Sequence, residues 1–189
     1  MARRRDTEKP SQIIEAAFTV FGDIGFEGTL IKDIAERAGI SSGTIYTYFQ
    51  DKKDLFRATV QEGWKRFLAQ VRELAESPEP AERRLQRFID IGFNSLKSYL
   101  PLLRGMLFES SQMNLLQGSI EQLCVLTERL LSGRPQRLET PPVEPGHRRS
   151  LIRVTVVGLL FSAALAEPAR VDEEIDGLKR MILQMLSGG

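Results

Sequence analysis

The stretch from Ile34 to Phe49 constrains the fold of this chain more than any other. The apolar residues that lead into it recur at helical spacing, namely Ile31, Ile34, Ala35 and Ala38. Gly39 follows, and glycine adopts the left-handed dihedrals found just past a helix end. Ser41 offers a hydroxyl to cap a second helix, and Ile40 and Ile45 flank that cap as a hydrophobic staple. The pattern predicts two short helices joined by a tight turn, a helix-turn-helix.

The second helix of this motif has two different faces. Ile45 and Phe49 are four residues apart and are predicted to face inward. The opposite face carries small or hydroxylated residues, namely Ser42, Gly43, Tyr46 and Thr47. Such a face suits a helix that enters the major groove, because small residues allow close approach and hydroxyls bind bases or phosphates. A solvated helix hairpin would show the same pattern, so this stretch alone leaves both interpretations open.

A series of spaced residues extends the pattern through roughly the first third of the chain. It consists of Ile13-Ile14-Glu15-Ala16-Ala17-Phe18, Phe21, Gly25-Phe26, Thr29, Asp33-Ile34-Ala35, Ala38-Gly39-Ile40-Ser41, Gly43-Thr44-Ile45-Tyr46 and Tyr48-Phe49-Gln50-Asp51-Lys52. In order and spacing, the series resembles the DNA-binding domain of the TetR family. Leu30 departs from the family pattern, which usually has a small hydroxylated residue there. Thr29 is therefore the predicted cap of the first helix of the motif.

The resemblance implies a regulator that binds a double-stranded DNA operator and is released by a small hydrophobic effector. It divides the chain into a DNA-binding domain with a basic arm at 1–55 and an effector-binding and dimerisation domain at 56–189. The DNA-binding residues that it implies are Thr29, Lys32, Ser42, Gly43, Thr44, Tyr46, Thr47, Tyr48 and Lys52. Among them, Lys52 lies in the first turn of a helix, where its charge opposes the helix dipole unless an anion is near. The resemblance places a DNA phosphate there.

The periodicity of the whole chain predicts an all-α fold with no alternating strand pattern. Residues 1 to about 9 are predicted to be a disordered basic arm, followed by a helix from about Ser11 to Gly22. Asp51 is predicted to cap a long helix that ends before Ser77-Pro78-Glu79-Pro80. The next helix is predicted to stop at Pro101, with a shorter helix after it. A proline-containing loop at 134–146 separates a further helix from two final helices, at about 147–166 and 172–186.

Composition and charge describe a globular chain of 189 residues with a net charge of +1. This charge excludes a protein that is basic throughout, but DNA binding needs only one positive surface. The opening Ala2-Arg3-Arg4-Arg5 precedes no apolar signal region, and the longest apolar run, from Val154 to Ala166, is too short to span a bilayer. We therefore expect no membrane partner. Cys124 is the only cysteine, so no intrachain disulfide can form and the sequence favours a reducing cytoplasm.

The residues of an enzyme site are missing from the sequence. His147 is the only histidine, which excludes a histidine-based triad or a multi-histidine metal site. Cys124 lies on an apolar stripe, where a lone cysteine usually acts as a small buried hydrophobe. No phosphate-binding glycine fingerprint is present. We therefore expect no catalytic residues, no metal and no cofactor. The alternative function is a helical adaptor or scaffold without DNA binding. Such a protein would be expected to have acidic residues at the predicted DNA-contacting positions of the second helix of the motif, and this chain has none there.

The C-terminal two thirds are predicted to hold the effector and the dimer interface. The candidate effector-binding residues are large and apolar, as most ligand pockets require: Phe88, Phe93, Tyr99, Leu103, Met106, Phe108 and Met113. A plain packed core is the better explanation of each residue taken singly, whereas the set as a whole indicates an apolar or aromatic effector. The penultimate helix is apolar on nearly every side, so one face needs a partner outside its own subunit. The predicted homodimer interface consists of Gly158, Ser162, Ala166, Leu178 and Ile182.

Overall fold

Eight helices make up the described part of the chain, which in this computed structural model covers residues 2–107, 114–131, 145–167 and 170–187. They are α1 (Ala2–Gly28), α2 (Ile31–Ala38), α3 (Ser42–Tyr48), α4 (Lys52–Glu76), α5 (Ala81–Leu107), α6 (Asn114–Leu131), α7 (Pro145–Leu165) and α8 (Val171–Ser187). Within these ranges no strand is formed, and the predicted all-α class is confirmed. None of the described helices has both the length and the hydropathy that crossing a bilayer requires.

The N-terminal arm differs from its prediction, because residues 2–9 continue α1 instead of being disordered. Arginine, glutamate and lysine are good helix formers, so a short charged segment extends a helix that is already anchored by its apolar face. At its other end α1 runs past the predicted end at Gly22, to Gly28. Gly25 takes φ 74° and ψ 172°, a conformation that interrupts the helix before its last residues.

Pro101 does not end a helix, contrary to the prediction, but lies inside α5. A proline in a helix interior costs about 3 kcal/mol through the lost hydrogen bond and the ring clash. Leu100, Leu102 and Leu103 are all buried around it, and their packing holds the backbone helical on both sides. The predicted loop at 134–146 falls mostly outside the described residues. Pro145, at its end, is the first residue of α7, a position that proline favours.

The chain forms two compact units, and the first consists of Met1–Trp64 and Tyr99–Met113. Its centre is a cluster of three phenylalanine rings. The centroid of Phe56 lies 5.1 Å from that of Phe21 and 4.8 Å from that of Phe26. Gly105 of α5 packs directly on this cluster, since a methyl group there would lie 3.0 Å from Cβ of Phe26. The C-terminal part of α5 is therefore a component of the same core as the helix-turn-helix.

A second close approach in this unit involves Tyr99. Its ring lies edge-on to Phe18, with centroids 5.0 Å apart. A methyl group on Gly63 would lie only 2.8 Å from Cε1 of Tyr99, so this position of α4 has room for glycine alone unless the ring shifts. Tyr99, predicted as an effector contact, thus has a packing role in the first unit.

The second unit consists of Lys65–Ser98 and Asn114–Gly189. Its buried residues form stripes on successive helices: Ile89, Phe93 and Leu96 on α5, Leu123, Leu126 and Leu130 on α6, and Val171 and Ile175 on α8. Two ion pairs join α5 to α8, Lys97–Asp176 at 2.7 Å and Lys179–Asp90 at 2.8 Å. Exposed pairs of this kind add little stability, but they favour one register of the two helices.

Cys124 lies fully buried on α6. Burial raises the pKa of its thiol above the usual range, which keeps the group protonated and poorly nucleophilic at neutral pH. The thiol therefore acts as part of the apolar core.

The first compact unit does not end where the DNA-binding domain was placed. The prediction put that boundary at residue 55, whereas the unit continues to Trp64 and also includes 99–113. Helices α4 and α5 each have residues in both units. The division into functional domains at 1–55 and 56–189 remains a prediction.

Candidate nucleic-acid interface

The turn between α2 and α3 forms as the local sequence predicts. Gly39 adopts φ 65°, the left-handed conformation that ends α2. The Ile40 amide donates to the Ala35 carbonyl at 3.0 Å, which satisfies one of the last carbonyl groups of the helix. The side-chain amide of Gln12, on α1, donates to the Ala38 carbonyl at 3.0 Å. Backbone and α1 together fix the end of α2 and hence the direction in which α3 leaves it.

Ser41 caps α3, as predicted. Its Oγ accepts from the Thr44 amide at 3.2 Å and lies 2.9 Å from the Thr44 hydroxyl. Ile45 is fully buried and Phe49 nearly so, which anchors one face of the seven-residue helix. Gly43, Tyr46 and Thr47 are exposed on this helix, and Ser42, Thr44 and Tyr48 are half-buried. The residues of α3 that the sequence predicts to contact DNA therefore lie on one short helix whose position is fixed by its buried face.

The cap of α2 differs from its prediction. The N-cap is Leu30, whose amide donates to the Asp33 carboxylate at 2.9 Å. Thr29 is fully buried, and its hydroxyl donates to the Gly25 carbonyl at 2.6 Å. A buried side chain whose hydroxyl is already bonded inside the protein is not available to DNA. Thr29 is removed from the set of DNA contacts and assigned to the linker between α1 and α2.

Lys52 has partners that its position in the sequence did not reveal. Its Nζ donates to the carbonyl oxygens of Phe26 at 2.8 Å and of Thr29 at 3.0 Å. The ammonium also lies 4.5 Å from the centroid of the Phe26 ring. These partners offset the unfavourable position of a cation at the start of α4. No spacing rule could have found them, because they precede Lys52 by 23 and 26 residues.

The start of α4 is otherwise capped as predicted. The Asp54 amide donates to the Asp51 carboxylate at 2.7 Å, and the Asp54 carboxylate accepts from the Gln50 amide at 3.1 Å. Asp54 in the first turn and Asp51 just before the helix agree with the helix dipole. Lys32, another predicted contact, is exposed on α2, and so is Arg37, a cation that the sequence analysis did not select.

The predicted effector residues are distributed over both compact units. In the second unit Phe88 is half-buried and Phe93 buried. In the first unit Tyr99 is half-buried and Leu103 buried. Met106 lies on α5, but its side chain falls outside the described residues, as do Phe108 and Met113 entirely. Their role in ligand binding stays a prediction.

The predicted dimer residues lie on α7 and α8 or just beyond. Gly158 and Ser162 are exposed, Leu178 and Ile182 are half-buried, and Ala166 follows the end of α7. The predicted set includes no large side chain of α7. Several apolar residues of α7 are exposed in the isolated chain, namely Leu151, Val154, Val157, Phe161 and Leu165.

Known regulatory proteins have a similar sequence over the helix-turn-helix and its flanks. The sequence model for bacterial regulatory proteins of the tetR family matches residues 13–59, the segment that contains α2, α3 and the start of α4. Over this segment the chain is similar to the regulatory proteins of that family. Relatives of the chain are named as regulator proteins.

Two relatives and one solved structure differ in how much of the chain they match. The fatty acid metabolism regulator protein of Bacillus subtilis is 32% identical over 47% of this chain, and the chain spans only 45% of that relative's length. The regulator BetI of Cronobacter sakazakii is 28% identical over 94% of this chain and 90% of its own length. The solved structure of FadR from Bacillus subtilis in complex with stearoyl-CoA has a TM-score of 0.66 at 23% identity, covering 93% of this chain and 96% of that one. That likeness shows the fold.

The geometry of the turn predicts opposite effects for two neighbouring glycines. Gly39→Ala places a side chain in the left-handed region and should lower the free energy of unfolding by about 1 kcal/mol. Gly43→Ala, inside α3 and with its nearest contact an ordinary 3.8 Å from Ser41 Oγ, should leave the free energy of unfolding unchanged or raise it slightly. Urea unfolding measures both. Equal stability of the two variants would contradict the structure of the turn.

Proposed function

We propose that this protein is a repressor that binds a (pseudo)palindromic DNA operator as a homodimer and releases it on binding a small hydrophobic effector. The observation that carries the proposal is the division of α3, with Ile45 and Phe49 buried and Gly43, Tyr46 and Thr47 exposed. A capped helix of seven residues with a small, hydroxylated outer face fits the major groove. A cytoplasmic location is part of the same proposal.

The proposed contacts follow from exposure on the described helices. Ser42, Gly43 and Thr47 lie nearest the bases, because small side chains at the start of α3 allow the backbone to approach base edges. The hydroxyls of Thr44, Tyr46 and Tyr48 bind phosphates, and Lys32 adds a charge from α2. Lys52 uses two of its three N–H donors within the protein and keeps one for a phosphate.

The contact set predicts that two substitutions affect DNA binding differently. Thr47→Ala should change the preferred operator sequence, because it removes a group that contacts bases. Lys32→Met should weaken binding to all duplexes about equally and reduce the log–log salt slope by about 0.9. Fluorescence anisotropy against a set of operator variants, at several salt concentrations, measures both. Gln61→Ala, exposed on α4, is the control. Thr47→Ala with unchanged sequence preference would exclude α3 as the reading helix.

The dimer proposal is supported by the apolar surface of α7. Val154 is 71% exposed and Leu165 67% exposed in the isolated chain, with Phe161 between them along the helix. Large apolar side chains in a row on one helix face are unfavourable in water and mark an interaction surface. Gly158 and Ser162 interrupt this row with small residues that let a second helix approach closely. A two-fold dimer can place two α3 helices one DNA turn apart, about 34–36 Å.

Val154→Arg should therefore convert the dimer to monomers and abolish operator binding. The residue is exposed in the protomer, so the substitution should leave the protomer fold intact. Sedimentation velocity at about 10 μM protein measures the oligomeric state, well above the dissociation constant of a stable dimer. Gln122→Arg adds the same charge at an exposed position of α6 and should remain dimeric. A dimeric Val154→Arg variant would place the interface elsewhere.

The effector proposal is supported by the apolar side chains of α5 and by the names of relatives. Phe93 is buried and Phe88 half-buried in the second unit, with Ile89 and Leu96 beside them on α5. One relative is a fatty acid metabolism regulator, and one structural neighbour was solved with stearoyl-CoA. We therefore propose an effector with a long apolar chain, which such side chains can surround.

Stearoyl-CoA is the first effector to test. It should lower operator affinity by about 5- to 150-fold, the range of a coupling energy of about 1–3 kcal/mol, and operator DNA should weaken its binding by the same factor. Phe88→Ala should raise the concentration required for release, whereas Gln86→Ala, exposed on the same helix, should not. Titration of a preformed operator complex measures the effect. If neither acyl-CoA nor free fatty acids of any length release the operator, the proposed effector class is wrong.

A further inference from the structure

The ammonium group of Lys52 joins the two ends of the helix-turn-helix. Thr29 immediately precedes the N-cap of α2, and Lys52 is the first residue of α4. The segment between them contains all of α2, the turn and α3. The Lys52 Nζ donates to the Thr29 carbonyl at 3.0 Å and to the Phe26 carbonyl at 2.8 Å. The segment is thus closed at its ends by hydrogen bonds in which the donor is charged, the stronger kind.

The linker that receives these bonds directly follows a break in α1. Gly25, with φ 74° and ψ 172°, interrupts α1. Carbonyl groups at such an interruption need partners outside the regular helix pattern. The Thr29 hydroxyl donates to the Gly25 carbonyl at 2.6 Å, and the Lys52 ammonium donates to the carbonyl oxygens of Phe26 and Thr29. Two side chains therefore hold the linker, one of them neutral and one charged.

The Phe26 side chain fixes the position of the ammonium. Phe26 is buried against Phe21 and Phe56, and its ring centroid lies 4.5 Å from the Lys52 Nζ. A cation over an aromatic face gains about 0.5–2 kcal/mol, depending on its exposure to water. Since Lys52 is only partly exposed, both its stem and its charge are held by the core of the first unit. A lysine that served only a phosphate would not need these contacts.

We propose that Lys52 is a positioning residue for DNA recognition: it closes the segment from Thr29 to Lys52 and thereby sets the position of α3 before DNA is bound. The inference rests on the proposed DNA-binding function and adds a role that acts in the free protein. Preorganisation of this kind raises affinity because binding no longer has to order the segment.

Loss of positioning and loss of a phosphate contact change the salt dependence of operator affinity in different ways. Loss of a phosphate contact reduces the slope of log affinity against log salt by about 0.9 and has little effect at about 1 M salt, where counterion release contributes nothing. Loss of positioning lowers the affinity at every salt concentration, including the extrapolated value at 1 M. Lys52→Met removes charge and closure together. Thr29→Val removes the hydrogen bond to Gly25 and changes no charge.

The experiment compares wild type with Lys52→Met, Thr29→Val and Lys32→Met. Amide hydrogen exchange of the free protein should increase about tenfold or more around residues 29–33 in Lys52→Met and Thr29→Val, but not in Lys32→Met. Unchanged exchange in α6 shows that the variants remain folded. The operator affinity extrapolated to about 1 M salt should fall at least about fivefold in the first two variants and remain unchanged in Lys32→Met. Thr29→Val should keep the wild-type slope.

Either of two results with these variants would overturn the proposal. If Lys52→Met alters only the slope, as Lys32→Met does, then Lys52 is a phosphate ligand and nothing more. If exchange rises but the affinity at high salt is unchanged, the closure stabilises the fold without positioning α3. The hydrogen-exchange measurement needs no DNA, so it tests whether Lys52 closes the segment from Thr29 to Lys52 independently of the proposed DNA-binding function. Failure of the wild type to bind any palindromic duplex would refute the proposed function and, with it, the positioning role.

Discussion

The packing of Phe26 is the contact on which the first compact unit depends. Its ring lies 4.8 Å from that of Phe56 and 6.0 Å from that of Phe21, while its backbone carbonyl accepts from Lys52. Gly105 of α5 approaches the same side chain from a part of the chain about eighty residues away. One residue at the end of α1 therefore links the core, the start of α4 and the entry to α2. Its geometry requires the break at Gly25, which glycine alone adopts without strain.

The reading surface needs such support because α3 is short. A helix of seven residues is not stable by itself, so its position is set by tertiary contacts and not by its own propensity. Ile45 and Phe49 anchor it from below, Ser41 caps its start, and the turn at Gly39 orients it. What remains exposed is free to differ between relatives without loss of the fold.

The second unit carries the opposite kind of surface. Apolar side chains of α7 face solvent in the isolated chain, while two ion pairs hold α8 to α5 in a defined register. A burial requirement of this size on one helix is what a second copy of the chain satisfies in the proposed dimer. The proposed palindromic operator is the DNA counterpart of the two-fold symmetry of that proposed dimer. The family model matches residues 13–59, the helix-turn-helix and its flanks, and leaves the second unit unmatched.

The sequence by itself determined the all-α class, the turn at Gly39 and the caps at Ser41 and Asp51, because these depend on interactions within a few residues and on hydrophobic periodicity. The tertiary structure alone decided three other points. Pro101 stays helical because neighbouring leucines are buried on both sides of it. Thr29 turns into the core and caps nothing, and the Lys52 ammonium bonds to carbonyl groups 23 and 26 residues before it. Contacts between residues so far apart in sequence leave no local pattern, since their partners meet only when the core around Phe26 has formed.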